Sequence, residues 1–248
     1  IKDTISSPQI MNCGDEIVSL MGQYPVIFLS LKSAKQTDFE SAFFAIKNAI
    51  DFELIRHNYV LQSEKVDVKT KEIFRQLLEA SSEPYYHNRK DERLERDVNA
   101  FSRALQILSI CLSQYHGKDA IILIDEYDVP LESAYYNGYY DRMVSFIRSL
   151  FESALKSNPA LERAVITGCL RISKESIFTG TNNFASYSVL DKSFSQYFGF
   201  TDNEVDRMLA AADRTSRKET IREWYDGYVF GNSFVYGPWD VINFLSEL

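Results

Sequence analysis

Ala120-Ile121-Ile122-Leu123-Ile124-Asp125-Glu126-Tyr127-Asp128 decides the fold. Five apolar residues run without alternation, the pattern of a strand covered on both faces of a parallel sheet. The run ends on two carboxylates. In open α/β sheets, ligands bind at the carboxyl ends of the strands. Asp125 and Glu126 are therefore placed where chemistry happens. As a structural pair they would simply cap the following turn. As a functional pair, the first acid holds a divalent cation and the second polarises an attacking water.

Similar runs flank this one. Pro25–Leu31 (PVIFLSL) and Arg163–Thr167 (RAVIT) read as strands, and Tyr187–Leu190 (YSVL) as a weaker one. Helical patterns separate them. Thr37 and Glu40 have capping-box spacing ahead of Phe39, Phe43, Ile46, Ile50 and Leu54. Leu94, Val98, Phe101, Leu105, Leu108 and Leu112 predict one long helix. Another carries Met143, Phe146, Ile147, Leu150, Phe151 and Ala154 between Tyr139 and Lys156. Strands alternating with helices predict an α/β fold with right-handed crossovers. Beyond Phe200 no further strand is expected. Thr201/Glu204, Ser216/Glu219 and Gly237-Pro238 each open a short helix. The domain reading is thus an α/β core over 1–199 and a C-terminal helical subdomain over 200–248.

Composition narrows the function. The 248 residues carry 27 Lys plus Arg against 35 Asp plus Glu, a net charge of −8. With a pI near 5.0 the chain has no global attraction for phosphate backbones, so nucleic acid is not an expected partner of these residues. Hydrophobic residues make up 45%, enough for a real core, which excludes wholesale disorder. Cys13, Cys111 and Cys169 form no CxxC pair and no zinc spacing. They suit a reducing compartment, and the expected location is cytoplasmic. No apolar run approaches a bilayer span, so no membrane partner is expected. The chain begins at Ile1 without a leader, as expected of a piece of a longer protein.

Other candidates are weaker. Thr167 ends the strand after the acids, where a polar residue could approach a γ-phosphate, and Arg171 follows it as a phosphate donor. Their ordinary readings are a β-branched strand residue and a surface ion pair. No GxxxxGK[ST] cradle is present: Gly117-Lys118 is followed by Asp119, and Leu112 holds the first Gly position. Asp67-Val68-Lys69 matches half of a nuclease signature but lacks an apolar strand before it. His57, His87 and His116 share no spacing and read as ordinary surface histidines. Arg89–Asp97 mixes signs and reads as the solvated start of a helix. Tyr135–Tyr140 (YYNGYY) reads as helix-edge packing. No GxSxG elbow accompanies the serines.

Ile121–Asp128 (IILIDEYD), Thr167–Gly180 (TGCLRISKESIFTG), Trp224–Gly231 (WYDGYVFG) and Tyr236–Leu245 (YGPWDVINFL) occur in this order. Together with Tyr24–Lys32 and Tyr187–Phe200, they resemble the bacterial and archaeal AAA-ATPase-like family. The resemblance implies a P-loop NTPase-like three-layer sandwich with a parallel sheet of order 5-1-4-3-2. It puts Asp125 at the metal position (Walker B), Glu126 at the catalytic base, and Thr167 and Arg171 at nucleotide-sensing positions. Mg and ATP are the implied cofactors of the parent protein, acting in a nucleotide-dependent switch. Members commonly carry a PD-(D/E)XK nuclease-like domain after this one, an implied partner in the same protein. Measured against the family, roughly the first 60 residues, with strand one and the phosphate loop, precede the region present here. This chain alone is then expected to be inactive. An unpaired strand edge would invite a homo-oligomer through the incomplete sheet. The alternative is a non-hydrolysing scaffold whose aromatic C-terminal region docks a partner.

Overall fold

Three of the four apolar runs are strands in the computed structural model, which describes residues 9–82, 90–170, 177, 184–225 and 227–246. The chain divides into two compact units, Ser19–Asn182 and a second one of Ile1–Val18 with Asn183–Leu248. A four-residue helix, α1 (Asp15–Val18), belongs to the second unit.

The larger unit is built on a parallel sheet of β1 (Val26–Ser30), β2 (Ala120–Asp125) and β3 (Leu161–Ile166), in that spatial order. Its helices are α2 (Phe39–Arg56), α3 (Val68–Ser82), α4 (Lys90–Phe101), α5 (Ala104–His116), α6 (Val129–Asn137) and α7 (Tyr140–Phe151). Ile27, Leu29, Ala120, Ile122 and Ile124 project into one core with Phe43, Ile46 and Ile50 of α2, Leu105 and Leu108 of α5, and Phe146 of α7. Truncating one such side chain, as in Leu29→Ala, removes about 2–5 kcal/mol.

The opposite face differs from the expectation of strands covered on both sides. Phe28, Leu123 and Val165 lie in one register row on that face. Phe28 is 49% and Val165 47% exposed. The apolar run is continuous because both faces are apolar, not because both are covered within this unit.

The two outer strands are treated differently. β1 has no strand on its outer side among the described residues. There the Phe28 N–H donates to Glu53 Oε2 at 3.1 Å and Arg56 Nη2 donates to the Val26 carbonyl at 2.7 Å. Glu53 and Arg56 are themselves paired at 2.5 Å. An edge answered by side chains of α2 is closed to further strands. β3 is the other edge, with no strand beyond it among the described residues.

Several helix boundaries differ from the sequence expectation. Asp38, not Thr37, caps α2, accepting the Ser41 N–H at 2.9 Å. The helix predicted across 94–112 breaks at Ser102-Arg103 into α4 and α5. Leu94, Val98 and Phe101 in α4 and Leu105, Leu108 and Leu112 in α5 all keep helical spacing, so periodicity alone hides the break. α7 runs on into a π-helical turn over Glu152–Lys156.

The smaller unit is not purely helical, which corrects the C-terminal reading. Besides α8 (Asp202–Ala211), α9 (Lys218–Trp224) and α10 (Pro238–Ser246), it holds an antiparallel sheet. Its strands are β4 (Phe200–Thr201), β5 (Tyr228–Phe230) and β6 (Ser233–Tyr236), in the order β4-β6-β5. Gly231-Asn232 is a two-residue hairpin loop with Gly231 at φ 53°, a conformation that glycine adopts without strain. The strand expected at 187–190 is absent. The Asp191 carboxylate accepts both the Ser188 N–H and its hydroxyl, which bends the chain into a turn and leaves Leu190 79% exposed. The Thr201/Glu204 capping box is present, whereas α9 has no side-chain cap at Ser216. Pro238 opens α10. Val205, Leu209, Ile221 and Val241 form this unit's own core.

Candidate functional site

Ser30, Asp125 and Thr167 stand at the carboxyl ends of the three parallel strands. Ser30 pairs in register with Asp125, and Thr167 follows Ile166 at the end of β3. Alternation puts all three on the side of Phe28, Leu123 and Val165, so the site opens on the less covered face of the sheet. Backbone bonds pin the strand ends: Leu31 N–H to Asp125 O at 3.0 Å, Thr167 N–H to Ile124 O at 2.8 Å, and Tyr127 N–H to Thr167 O at 3.1 Å.

The Thr167 hydroxyl donates to Asp125 Oδ1, and the Glu126 N–H donates to the same oxygen at 3.0 Å. Oδ2 receives no hydrogen bond among the described residues. One oxygen is thus held while the other is available to a cation. Magnesium is commonly bound by one or two carboxylates, with waters and substrate phosphates completing its shell. The absence of any cluster of three His, Cys, Asp or Glu among the described residues is compatible with such a site.

Glu126 is held in a left-handed backbone conformation at φ 56°, unusual for a residue with a long side chain. Its Oε2 is buried without a hydrogen-bond partner. Strain and an unanswered carboxylate oxygen in one residue cluster at functional sites. Asp128, at the end of the same segment, is 2% exposed, and its Oδ2 accepts the Leu170 N–H at 2.7 Å. Tyr127 Oη donates to the Leu170 carbonyl at 2.9 Å. A Cβ on Gly168 would stand 2.5 Å from Asp128 Oδ1 and 2.7 Å from the Tyr127 ring, so the turn after β3 lies directly on these two side chains.

Of the residues singled out from sequence, Asp125, Glu126 and Thr167 are brought together. Arg171 lies outside the described residues, as does His87. Ser30, Tyr127 and Asp128 were given no individual role. The end of the Pro25–Leu31 run could have flagged Ser30, and the second aspartate of the DEYD quartet could have flagged Asp128.

The remaining candidates have structural explanations. Asp67 caps α3, accepting the Thr70 hydroxyl at 2.6 Å and its N–H at 2.9 Å, with Gln114 Nε2 at 2.8 Å. These bonds hold its carboxyl down at about 2. His57 is buried rather than a surface histidine. Its Nδ1 meets Tyr59 Oη at 3.1 Å, which in turn meets His116 Nε2 at 2.9 Å. Desolvation lowers both imidazoles below the usual value. Tyr139 Oη donates to the Gln36 carbonyl at 2.7 Å, whereas Tyr135 and Tyr136 are exposed.

No helix among the described residues is long and apolar enough to cross a membrane. A relative from Azotobacter chroococcum mcd 1, described as an uncharacterized protein in the vnfD 5'region, is 31% identical over 127 residues. The match covers 51% of this chain and 24% of that protein's length. No solved structure matches the chain at a significant level. The family model described as "Predicted AAA-ATPase" matches residues 9–178, more than half of the sequence, and carries the acids, Thr167 and the whole parallel sheet. The chain therefore belongs to the AAA-ATPase-like family.

Proposed function

We propose that the protein containing this chain binds and hydrolyses a nucleoside triphosphate with magnesium at the carboxyl ends of β1–β3, and that it acts as a nucleotide-dependent switch. The observation that carries this reading is the Asp125–Thr167 pair beside the buried, unpartnered Oε2 of Glu126. Asp125 Oδ2 would hold Mg²⁺, whose charge offsets that of the phosphates. Thr167 orients the Asp125 carboxylate by donating to Oδ1. The Glu126 carboxylate would accept a hydrogen bond from the attacking water and take its proton. The adjacency β1-β2-β3 supports the assignment of these strands as second, third and fourth of a P-loop-type sheet. The 248 residues contain no GxxxxGK[ST] cradle, so turnover is proposed for the whole protein and not for this chain alone.

On the same reading, Arg171 is the phosphate-sensing cation and the open β3 edge is where a further strand, or a second copy, joins the sheet. A nuclease-like domain of the same polypeptide would be the element switched.

The second reading is a docking module without hydrolysis. Its support is the number of exposed aromatic residues in the smaller unit, among them Tyr197, Trp224, Tyr228 and Trp239. Calorimetry of the full-length protein with Mg-ATP, with and without EDTA, separates the two. Saturable, magnesium-dependent binding that Asp125→Ala abolishes supports the first. No heat of binding in the wild type overturns it and leaves the docking module.

A further inference from the structure

Asp128 occupies the N-cap position of α6, where an aspartate ordinarily accepts an N–H of its own helix. Here the side chain makes no such cap bond. It reaches instead across 42 residues of sequence to the Leu170 N–H. The neighbouring Tyr127 takes the carbonyl of the same residue. Leu170 is thus gripped at both backbone groups by two adjacent side chains. The other end of that turn, Thr167, is gripped by the Tyr127 N–H and bonds to Asp125. Three residues of one segment, Asp125, Tyr127 and Asp128, therefore determine where the Thr167–Leu170 turn sits.

The arrangement has a cost. Asp128 Oδ1 is buried with no partner, and one donor does not answer a buried carboxylate. Gly168 has to lack a side chain for the turn to close on it, because any Cβ would meet that oxygen. A helix cap forgone, a carboxylate left half-satisfied and a glycine forced by contact all serve the same placement. Local rules broken together in this way mark a functional position.

We propose that Asp128, assisted by Tyr127, is the positioning residue of this site. It holds the Thr167–Leu170 turn so that the Thr167 hydroxyl stays on the Asp125 carboxylate and leaves Oδ2 free for the cation. The assignment rests on the nucleotide-hydrolysis reading above. Asp128 touches no substrate in this role and acts through Thr167. A displacement of the turn by a fraction of an ångström is felt in the orientation of the reacting groups, and hence in kcat before KM.

The test uses full-length protein carrying Tyr127→Phe, Asp128→Ala or Asp128→Asn, with Mg-ATP turnover and amide hydrogen exchange as readouts. Tyr127→Phe and Asp128→Ala are expected to lower kcat about tenfold while KM for Mg-ATP stays within about threefold. Asp128→Asn keeps an acceptor for the Leu170 N–H and is expected to retain most of kcat. Exchange at Leu170 is expected to quicken about tenfold in Asp128→Ala while Ile121–Ile124 stay protected. Should Asp128→Ala fail to fold, Tyr127→Phe carries the test. Wild-type kcat in Tyr127→Phe and Asp128→Ala, or unchanged exchange at Leu170, overturns the assignment and leaves the hydrolysis reading standing. A wild-type protein that does not turn over Mg-ATP overturns the hydrolysis reading, and the positioning role with it.

Discussion

The Thr167 hydroxyl donates to the Asp125 carboxylate, joining the ends of β3 and β2 over 42 residues of sequence. It fixes the rotamer of an acid whose second oxygen receives no hydrogen bond among the described residues. Thr167→Val removes the hydroxyl at nearly constant shape, at an exposed position. The expected outcome in the full-length protein is a fall in Mg-ATP turnover of about tenfold with an unchanged melting temperature, and recovery in Thr167→Ser. Steady-state kinetics with thermal melts check both halves.

Glu53 closes the edge of β1. Removing its carboxylate in Glu53→Ala strands the Phe28 N–H and leaves Arg56 only its bond to the Val26 carbonyl. The expected loss is about 1–3 kcal/mol, read from urea unfolding. Light scattering against concentration should also show new self-association, because an exposed strand edge recruits another chain. A monodisperse variant of unchanged stability would show that the clasp does not guard the edge.

His57 makes stability depend on pH in a defined direction. Burial and the neighbouring Arg56 lower its pKa in the folded chain, against the partial opposition of Glu53. The unfolded chain therefore binds a proton first, near 6.5. The contribution is fully present above that value and is lost as the pH falls below it. His57→Gln should flatten the decline in unfolding free energy between about pH 7 and pH 5. An unaltered slope would assign the decline to other groups.

The three cysteines should separate in a thiol titration. Cys13 and Cys169 are exposed, whereas Cys111 is buried on α5 with its thiol pushed up to about 12 by desolvation. Two thiols are expected to react promptly with a disulfide reagent at pH 8, and the third only after denaturation. Prompt reaction of all three would contradict the burial of Cys111 on α5.

The sheet and its acids were legible because their signals are local. Five continuous apolar residues ahead of Asp125 mark a strand, and the next such run ends on Thr167. What escaped was set by contacts between distant residues. The break at Ser102-Arg103 follows no local glycine or proline. The role of Asp128 depends on Leu170, which no spacing rule connects to it. The false strand at 187–190 has the right residue types, but Ser188 and Asp191 bend it. The β5–β6 hairpin was legible and missed: Tyr-Val-Phe, Gly-Asn, Ser-Phe-Val-Tyr is a two-residue turn between alternating runs.

The most direct test of the site is Glu126→Gln in the full-length protein, assayed for Mg-ATP binding by calorimetry and for phosphate release. Glutamine keeps the shape and removes the proton acceptor. The account predicts undiminished binding with turnover reduced about 10²-fold or more. Turnover equal to that of the wild type would contradict it.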